Sequence, residues 1–504
     1  VDLDDFSYVV HNPHVTDGLT VDNVVWAFTT RHRNFWIPLT WLSLQLDATF
    51  TPAPSPATNG EMTPVPPAMA FHLSNVIYHA AGTCLLFLFL RRATGRTYAS
   101  FLAALLWAVH PLRVESVAWV TERKDVLSGL FGFLALYLYI VWAQRQTLGL
   151  WLACGVAATA SLMAKPMTLA LPFVFLLLDY WPLRRLTSAK DLGRLVLEKL
   201  PLFIIVALCG AATTYMQRNV SRPPIGPAGY FPHAVAGYGR YLWQHLDFHS
   251  LVPFYPYAPP PIWLVACSGT AVLAITALAI CWRRVRPAFL VGWLWFLGTI
   301  LPFVGLFNSG DQATADRFTY FPAVGLAVLV IFSLPPAWFD RPRRTQTLVL
   351  GGALALVLAA GTFSLAGYWE KSITLFERTV ALAGENPTSL KSLGYAYLHA
   401  RRYDDAISVL QRVGRHDSRD TVAENGIATA YLLKRQPADA ITILRIALAK
   451  RDEDPETHMN LGVALMQAHQ WDEAVEQFEF LLRLNPQNTQ ARAALEQARE
   501  GRGF

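Results

Sequence analysis

Three stretches of this chain line up in phase: RRYDDAISVLQRV at 401–413, RQPADAITILRIA at 435–447 and HQWDEAVEQFEFL at 469–481. Ala406, Ala440 and Ala474 stand 34 residues apart. The same step relates Gly394, Ala428 and Gly462, then Tyr403, Pro437 and Trp471, then Leu410, Leu444 and Phe478. Small residues recurring where paired helices cross, with large ones filling the seam, describe stacked helix pairs of fixed length.

That period is the tetratricopeptide signature, with repeats expected at 387–420, 421–454 and 455–488. A polar capping helix is expected over 489–500 and one helix of a leading, degenerate repeat over 370–385. Such a solenoid carries no chemistry. It binds extended peptide on its concave face, or acts as a stalk.

Upstream the character of the chain changes. Of the 504 residues 53% are apolar or aromatic and 15% charged, with a mean hydropathy of +0.30. The excess is concentrated in apolar runs at 71–90, 98–112, 125–143, 148–163, 167–183, 198–216, 262–282, 288–306, 323–338 and 347–367. These predict a polytopic bundle of transmembrane helices over 1–369, followed by the repeat domain over 370–504, an all-α chain. The chain begins at Val1 rather than Met, and a further span is expected ahead of it.

Short basic turns, Arg91-Arg92, Arg184-Arg185, Arg283-Arg284-Val285-Arg286 and Arg341-Pro342-Arg343-Arg344, alternate with longer, less basic connections. The positive-inside rule places the turns in the cytoplasm. Residues 1–70, 217–261, 307–322 and the repeats then lie on the outer face, the periplasm of a bacterial inner membrane. The net charge of +6 reflects these turns and gives no nucleic-acid patch. The five cysteines all lie in apolar segments without metal-site spacing. Walker-type phosphate loops, dinucleotide fingerprints and the GxSxG elbow are missing from the sequence.

Ionisable residues gather in the outer connections: Asp4, Asp5, His110, Glu115, Glu122, Arg123, Lys124, Lys165, Asp316 and Arg317. At the edge of an apolar bundle such groups are costly unless they are paired or solvated, which marks them as functional candidates. Residues 35–42 and 238–243 read as amphipathic helices for the headgroup layer, and 51–70 as a Pro-rich loop. His72, Asn75 and His79 share one helical face, a poor ligand set without a carboxylate; no metal site is assigned, and a divalent ion is left open but not favoured.

Several stretches carry a family resemblance. They are Asp4-Asp5-Phe6-Ser7-Tyr8-Val9, Trp36-Ile37-Pro38-Leu39-Thr40-Trp41-Leu42-Ser43, His72-Leu73-Ser74-Asn75 with His79, and His110-Pro111-Leu112-Arg113-Val114-Glu115. Further along come Glu122-Arg123-Lys124-Asp125, Lys165-Pro166, Asp179-Tyr180-Trp181-Pro182-Leu183 and Ala315-Asp316-Arg317-Phe318-Thr319-Tyr320. In order and spacing the chain resembles the transmembrane and tetratricopeptide-repeat protein O-mannosyltransferases, within the GT-C-like, lipid-phosphate-sugar-dependent glycosyltransferases. Ile37 departs from the pattern, standing where a basic residue is expected.

The resemblance implies transfer of a hexose, mannose foremost, from a polyprenyl-phosphate donor to Ser or Thr of an exported protein presented by the repeats. Inversion at the anomeric carbon is expected. Asp4 and Asp5 would supply the base, with Asp5 weakly preferred, and Glu115 would position acceptor or sugar. Arg317, Lys165, Arg123, Lys124 and His110 would hold the departing phosphate. His72, Asn75, His79, Asp316 and Tyr320 would line the cleft. The competing readings are the same donor with a glycan or lipid acceptor, and a non-catalytic membrane-anchored repeat scaffold for envelope assembly.

Overall fold

The computed structural model describes residues 4–51, 68–219, 227–305, 312–414 and 421–503. The chain divides into two compact units, Asp4–Trp369 and Glu370–Phe504.

Each of the ten apolar runs contains a helix. Ala68–Thr94, Val120–Arg145, Ile262–Trp282 and Arg344–Tyr368 are long and apolar enough to cross a membrane. Two bent pairs, Thr97–Ala108 with Pro111–Ala118 and Ala189–Glu198 with Leu200–Met216, bring the number among the described residues to six if each is one span. Leu148–Ala164, Leu171–Tyr180, Pro287–Phe303 and Ala323–Ser333 are shorter apolar helices. In Ile262–Trp282 and Arg344–Tyr368 only 11% and 17% of the most apolar window is buried, and Leu273, Leu356 and Phe363 face outward. Apolar surface on this scale is stable only in lipid, so the chain is an integral membrane protein. Val120–Arg145 is instead 61% buried and forms the axis of the unit.

Small residues permit the closest approaches. A Cβ on Gly292 would lie 2.4 Å from the Gly325 carbonyl oxygen, so Pro287–Ile300 and Ala323–Ser333 meet backbone to backbone. Gly129, on the axial helix, leaves room for the Tyr320 ring, which would stand 2.4 Å from an added Cβ.

Charged groups flank that helix at both ends. Near its start lie Glu122 and Asp125. Towards its end the Tyr139 hydroxyl donates to Asp179 (2.7 Å), whose carboxylate also binds Lys199 (2.6 Å) and Arg185 (2.9 Å). From Glu122 to Tyr139 the helix rises roughly 25 Å, close to the thickness of a bilayer core. Asp179 sits in the Asp179-Tyr180-Trp181-Pro182-Leu183 stretch and ties three helical segments at that end.

The N-terminal segment departs from expectation. Residues 35–42 enter helix Pro38–Phe50, but Trp41 and Leu44 are fully buried with Tyr8, Val15 and Ala27. They form a small core, because the preceding chain folds back over them and takes the place of lipid headgroups. Residues 238–243 belong to helix Pro227–Gln244, with Tyr241 buried and Trp243 exposed. The Pro-rich stretch falls almost wholly outside the described residues.

In the second unit, helix Ser372–Ala383 leads into the pairs Pro387–His399 with Tyr403–Val413, Val422–Leu433 with Pro437–Lys450, and Pro455–Gln467 with Trp471–Leu484. Thr489–Arg502 follows. Gly394 and Gly462 lie where a Cβ would come 2.5 Å from Leu410 and Phe478 respectively, which accounts for the small-residue column of the sequence. Each repeat turns in the same way. Arg401, Arg435 and His469 have φ of 59°, 59° and 60°, and the next amide donates to the carbonyl five residues earlier, at Tyr397, Tyr431 and Leu465. This is a Schellman turn repeated in phase, with a non-glycine residue in the left-handed position.

Candidate functional site

The short 3-10 turn Val120–Glu122, ahead of the axial helix, organises the site. Thr121 holds Asp5 by its amide (3.0 Å) and its hydroxyl (2.5 Å), both to Oδ1. Burial raises the Asp5 carboxyl above its ordinary value of 3.8, against the lowering effect of the Thr121 hydrogen bonds. Asp4 is exposed, and its carbonyl accepts from Ser7 Oγ (3.0 Å) and the Tyr8 amide (2.9 Å). The acidic pair is thus split: Asp5 turns inward and Asp4 outward.

The neighbouring residue, Glu122, gathers the cations. Its carboxylate meets Lys124 (3.1 Å), Lys165 (2.9 Å) and Arg317 Nε (3.3 Å). Lys165 also binds Asp125 (2.6 Å), which accepts from Ser116 Oγ (3.0 Å). Glu115 pairs with the Arg317 guanidinium and accepts from the Arg317 amide (2.8 Å). Three carboxylates, Glu115, Glu122 and Asp125, therefore balance Lys124, Lys165 and Arg317, and all six are buried. This is the arrangement that makes buried charge tolerable. Lys124 lies over the Tyr8 and Phe35 rings, at 5.3 and 5.6 Å, so the cluster adjoins the segment that carries Asp5.

Other expected site residues are drawn elsewhere. Arg123 is fully buried; its guanidinium pairs with Asp47 and donates to Asn75 Oδ1 (2.8 Å) and the carbonyls of Ser43 (3.1 Å) and Phe71 (2.6 Å). With its donors directed to protein groups it clamps Pro38–Phe50 and Ala68–Thr94 to the axial helix. His110 is likewise engaged by protein groups. Its Nδ1 accepts from the Leu112 amide (3.2 Å) and its Nε2 meets the His245 carbonyl (3.3 Å), so it caps the turn Pro111–Arg113.

The His72, Asn75 and His79 face does not act as one group. Asn75 donates to the Val117 and Trp119 carbonyls, both at 3.2 Å. His79 contacts the Tyr320 hydroxyl (2.8 Å) and the Ala108 carbonyl (3.2 Å). His72 lies within electrostatic reach of Asp5. Among the described residues no group of three His, Cys, Asp or Glu side chains is placed to hold a metal ion.

Asp316 sits apart from the ion pairs. Tyr255 (2.9 Å) and Gln244 (3.0 Å) donate to its Oδ1, and burial together with the nearby Glu115 charge drives its carboxyl well above the ordinary range. Tyr255 and Gln244 were not singled out in the sequence, since no spacing links 244–255 to residue 316. Arg113 was missed as well, although it lies in the His110-Pro111-Leu112-Arg113 stretch. It is buried, donates to Thr319 Oγ1 (2.6 Å), and lies over the Trp107 and Tyr320 rings.

Comparison with known proteins bears out the resemblance. Tetratricopeptide-repeat family models match residues 366–418 and 431–498. The chain is 32% identical to mouse protein O-mannosyl-transferase TMTC2 over 28% of its own length and 17% of that protein's. It is 24% identical to human protein O-mannosyl-transferase TMTC1 over 76% of its length and 49% of the relative's, and 21% identical to a Caenorhabditis elegans protein O-mannosyl-transferase over 65% and 47%. The matched region thus spans half or less of these relatives. Among solved structures, the first tetratricopeptide-repeat domain of human RPAP3 aligns with 24% identity over 23% of this chain and 92% of that one, at a TM-score of 0.23. The class is that of helical membrane proteins with a tetratricopeptide-repeat domain. Within it, the chain is similar to the transmembrane and tetratricopeptide-repeat protein O-mannosyl-transferases.

Proposed function

We propose that the membrane unit transfers a hexose, mannose by the relatives' names, from a polyprenyl-phosphate donor to Ser or Thr hydroxyls of exported proteins, and that the repeats bind the acceptor. The observation that carries this is the Val120–Glu122 turn, which holds a half-buried carboxylate, Asp5, through Thr121, and the Lys124, Lys165 and Arg317 cluster through Glu122. Base and phosphate-stabilising cations thereby flank a single turn.

In this reading Asp5 takes the proton of the acceptor hydroxyl as its oxygen attacks the anomeric carbon. The bond from that carbon to the phosphate oxygen breaks on the opposite side, so the configuration inverts and polyprenyl phosphate departs. Arg317 and Lys165 stabilise the charge gathering on the phosphate, with Lys124 behind them. Glu115 orients Arg317. The site and the repeats belong on the outer face, the periplasm in a bacterium.

The test is transfer of labelled mannose from polyprenyl-phosphate mannose to Ser/Thr-rich exported peptides by the chain in proteoliposomes. Label in peptide supports the proposal. Label that enters only added glycan or lipid overturns the acceptor assignment, and label in none overturns the transferase.

A further inference from the structure

Arg240 differs from the cations of the central cluster. It is half-buried, and among the described residues no carboxylate forms an ion pair with it; the groups acting on it are the Tyr255 and Tyr241 phenols. Its Nη1 approaches Thr314 Oγ1 at 3.5 Å. Two residues earlier on the same strand, Gln312 Oε1 accepts from Arg317 Nη2 at 3.4 Å. Gln312–Thr314 pairs antiparallel with Tyr255–Pro256, Thr314 opposite Tyr255 and Gln312 opposite Pro256, so Ala313 is the extra residue of a bulge. Arg240 and Arg317 thus each reach a side chain of the same three-residue strand.

We propose that Arg240 and Arg317 form a two-arginine phosphate site across the Gln312–Thr314 strand, and that Arg240 contacts the phosphate of the lipid-linked donor. This rests on the transferase reading given above. The charge bookkeeping is the physical reason. Glu115 and Glu122 already neutralise Arg317, and the Lys165 charge is held by Glu122 and Asp125. The charges of that cluster are matched within the protein, so a phosphate drawn to Arg317 gains from a further cation beside it. Arg240 supplies one: among the described residues no carboxylate pairs with it, and Asp316, on the other side of Tyr255, accepts from that phenol and is driven towards its neutral form by burial. A planar guanidinium engages phosphate oxygens bidentately, and half-burial strengthens the contact while leaving a way in.

The test uses the whole chain in nanodiscs of zwitterionic lipid, with citronellyl phosphate as a short lipid phosphate and inorganic phosphate as the tail-free probe. Wild type should bind citronellyl phosphate more tightly than inorganic phosphate. R240Q should weaken both by roughly tenfold or more, R240K should recover part of the loss, and D5N should bind as wild type does. In the unsubstituted chain citronellyl phosphate should shield Arg240 from phenylglyoxal, a readout independent of how the variants fold. Unchanged binding by R240Q, a loss confined to citronellyl phosphate, or Arg240 left unshielded would overturn the site. If Arg240-dependent binding holds but no sugar is transferred by wild type, the phosphate site stands and the transferase reading falls. Transfer by R240Q with an unchanged KM for the donor leaves that reading and removes the site.

Discussion

Asp5 and Thr121 lie 116 residues apart in sequence, yet one carboxylate oxygen of Asp5 receives both the amide and the hydroxyl of Thr121. The hydroxyl donor favours the ionised carboxylate, whereas burial favours the neutral acid and prevails, so the Asp5 carboxyl titrates above 3.8. A base must be ionised to work. Transfer should therefore rise with pH along an acid limb lying above the ordinary aspartate range. Thr121→Val removes a hydrogen bond that lowers the Asp5 value and should move this limb to higher pH by about one unit. Thr121→Ser keeps the donor and should leave it in place. The pH profile of kcat/KM for the three proteins checks this; an unmoved limb in Thr121→Val counts against Asp5 as the titrating base.

Arg123 is assigned to structure, and its removal should be felt as instability. Arg123→Met leaves Asp47 buried without its cation and should cost roughly 3–5 kcal/mol. Replacing both residues, Arg123→Met with Asp47→Leu, should recover much of that loss. Melting temperatures in one detergent give the comparison, and an Arg123→Met protein as stable as wild type would remove the clamp.

The repeats offer a separate test. A side chain at Gly462 meets the Phe478 ring at 2.5 Å. Gly462→Val should overpack the third helix pair and cost about 1–3 kcal/mol. In calorimetry of the whole chain the loss should fall on the transition of the repeat unit, and an unshifted transition would contradict the packing described.

Local periodicity made the helices legible. The ten apolar runs and the 34-residue phase are each written within a few turns of chain, and each run contains a helix. Pairings between distant residues carry no such mark. Glu115 and Arg317 are 202 positions apart, and Arg123 and Asp47 are 76 apart. Arg123 and Lys124 are adjacent and equally basic, yet one faces Asp47 and the other Glu122, a difference set by helical rotation against neighbours. The Trp41 region read as a headgroup helix because composition does not reveal that Tyr8 and Val15 fold over it. Arg113 and Arg240 stood in quoted stretches without being chosen, since their distinction, a cation in no ion pair among the described residues, exists only in three dimensions.

The most direct measurement compares Asp5→Asn with Asp4→Asn in proteoliposomes, scoring labelled mannose moved from polyprenyl-phosphate mannose to peptide, with thermal melting to confirm that both variants fold. The account predicts that Asp5→Asn loses transfer by roughly a hundredfold or more, as removal of a general base does, while Asp4→Asn, altered at an exposed side chain, keeps most of it. Transfer by a folded Asp5→Asn protein at the wild-type rate would contradict it.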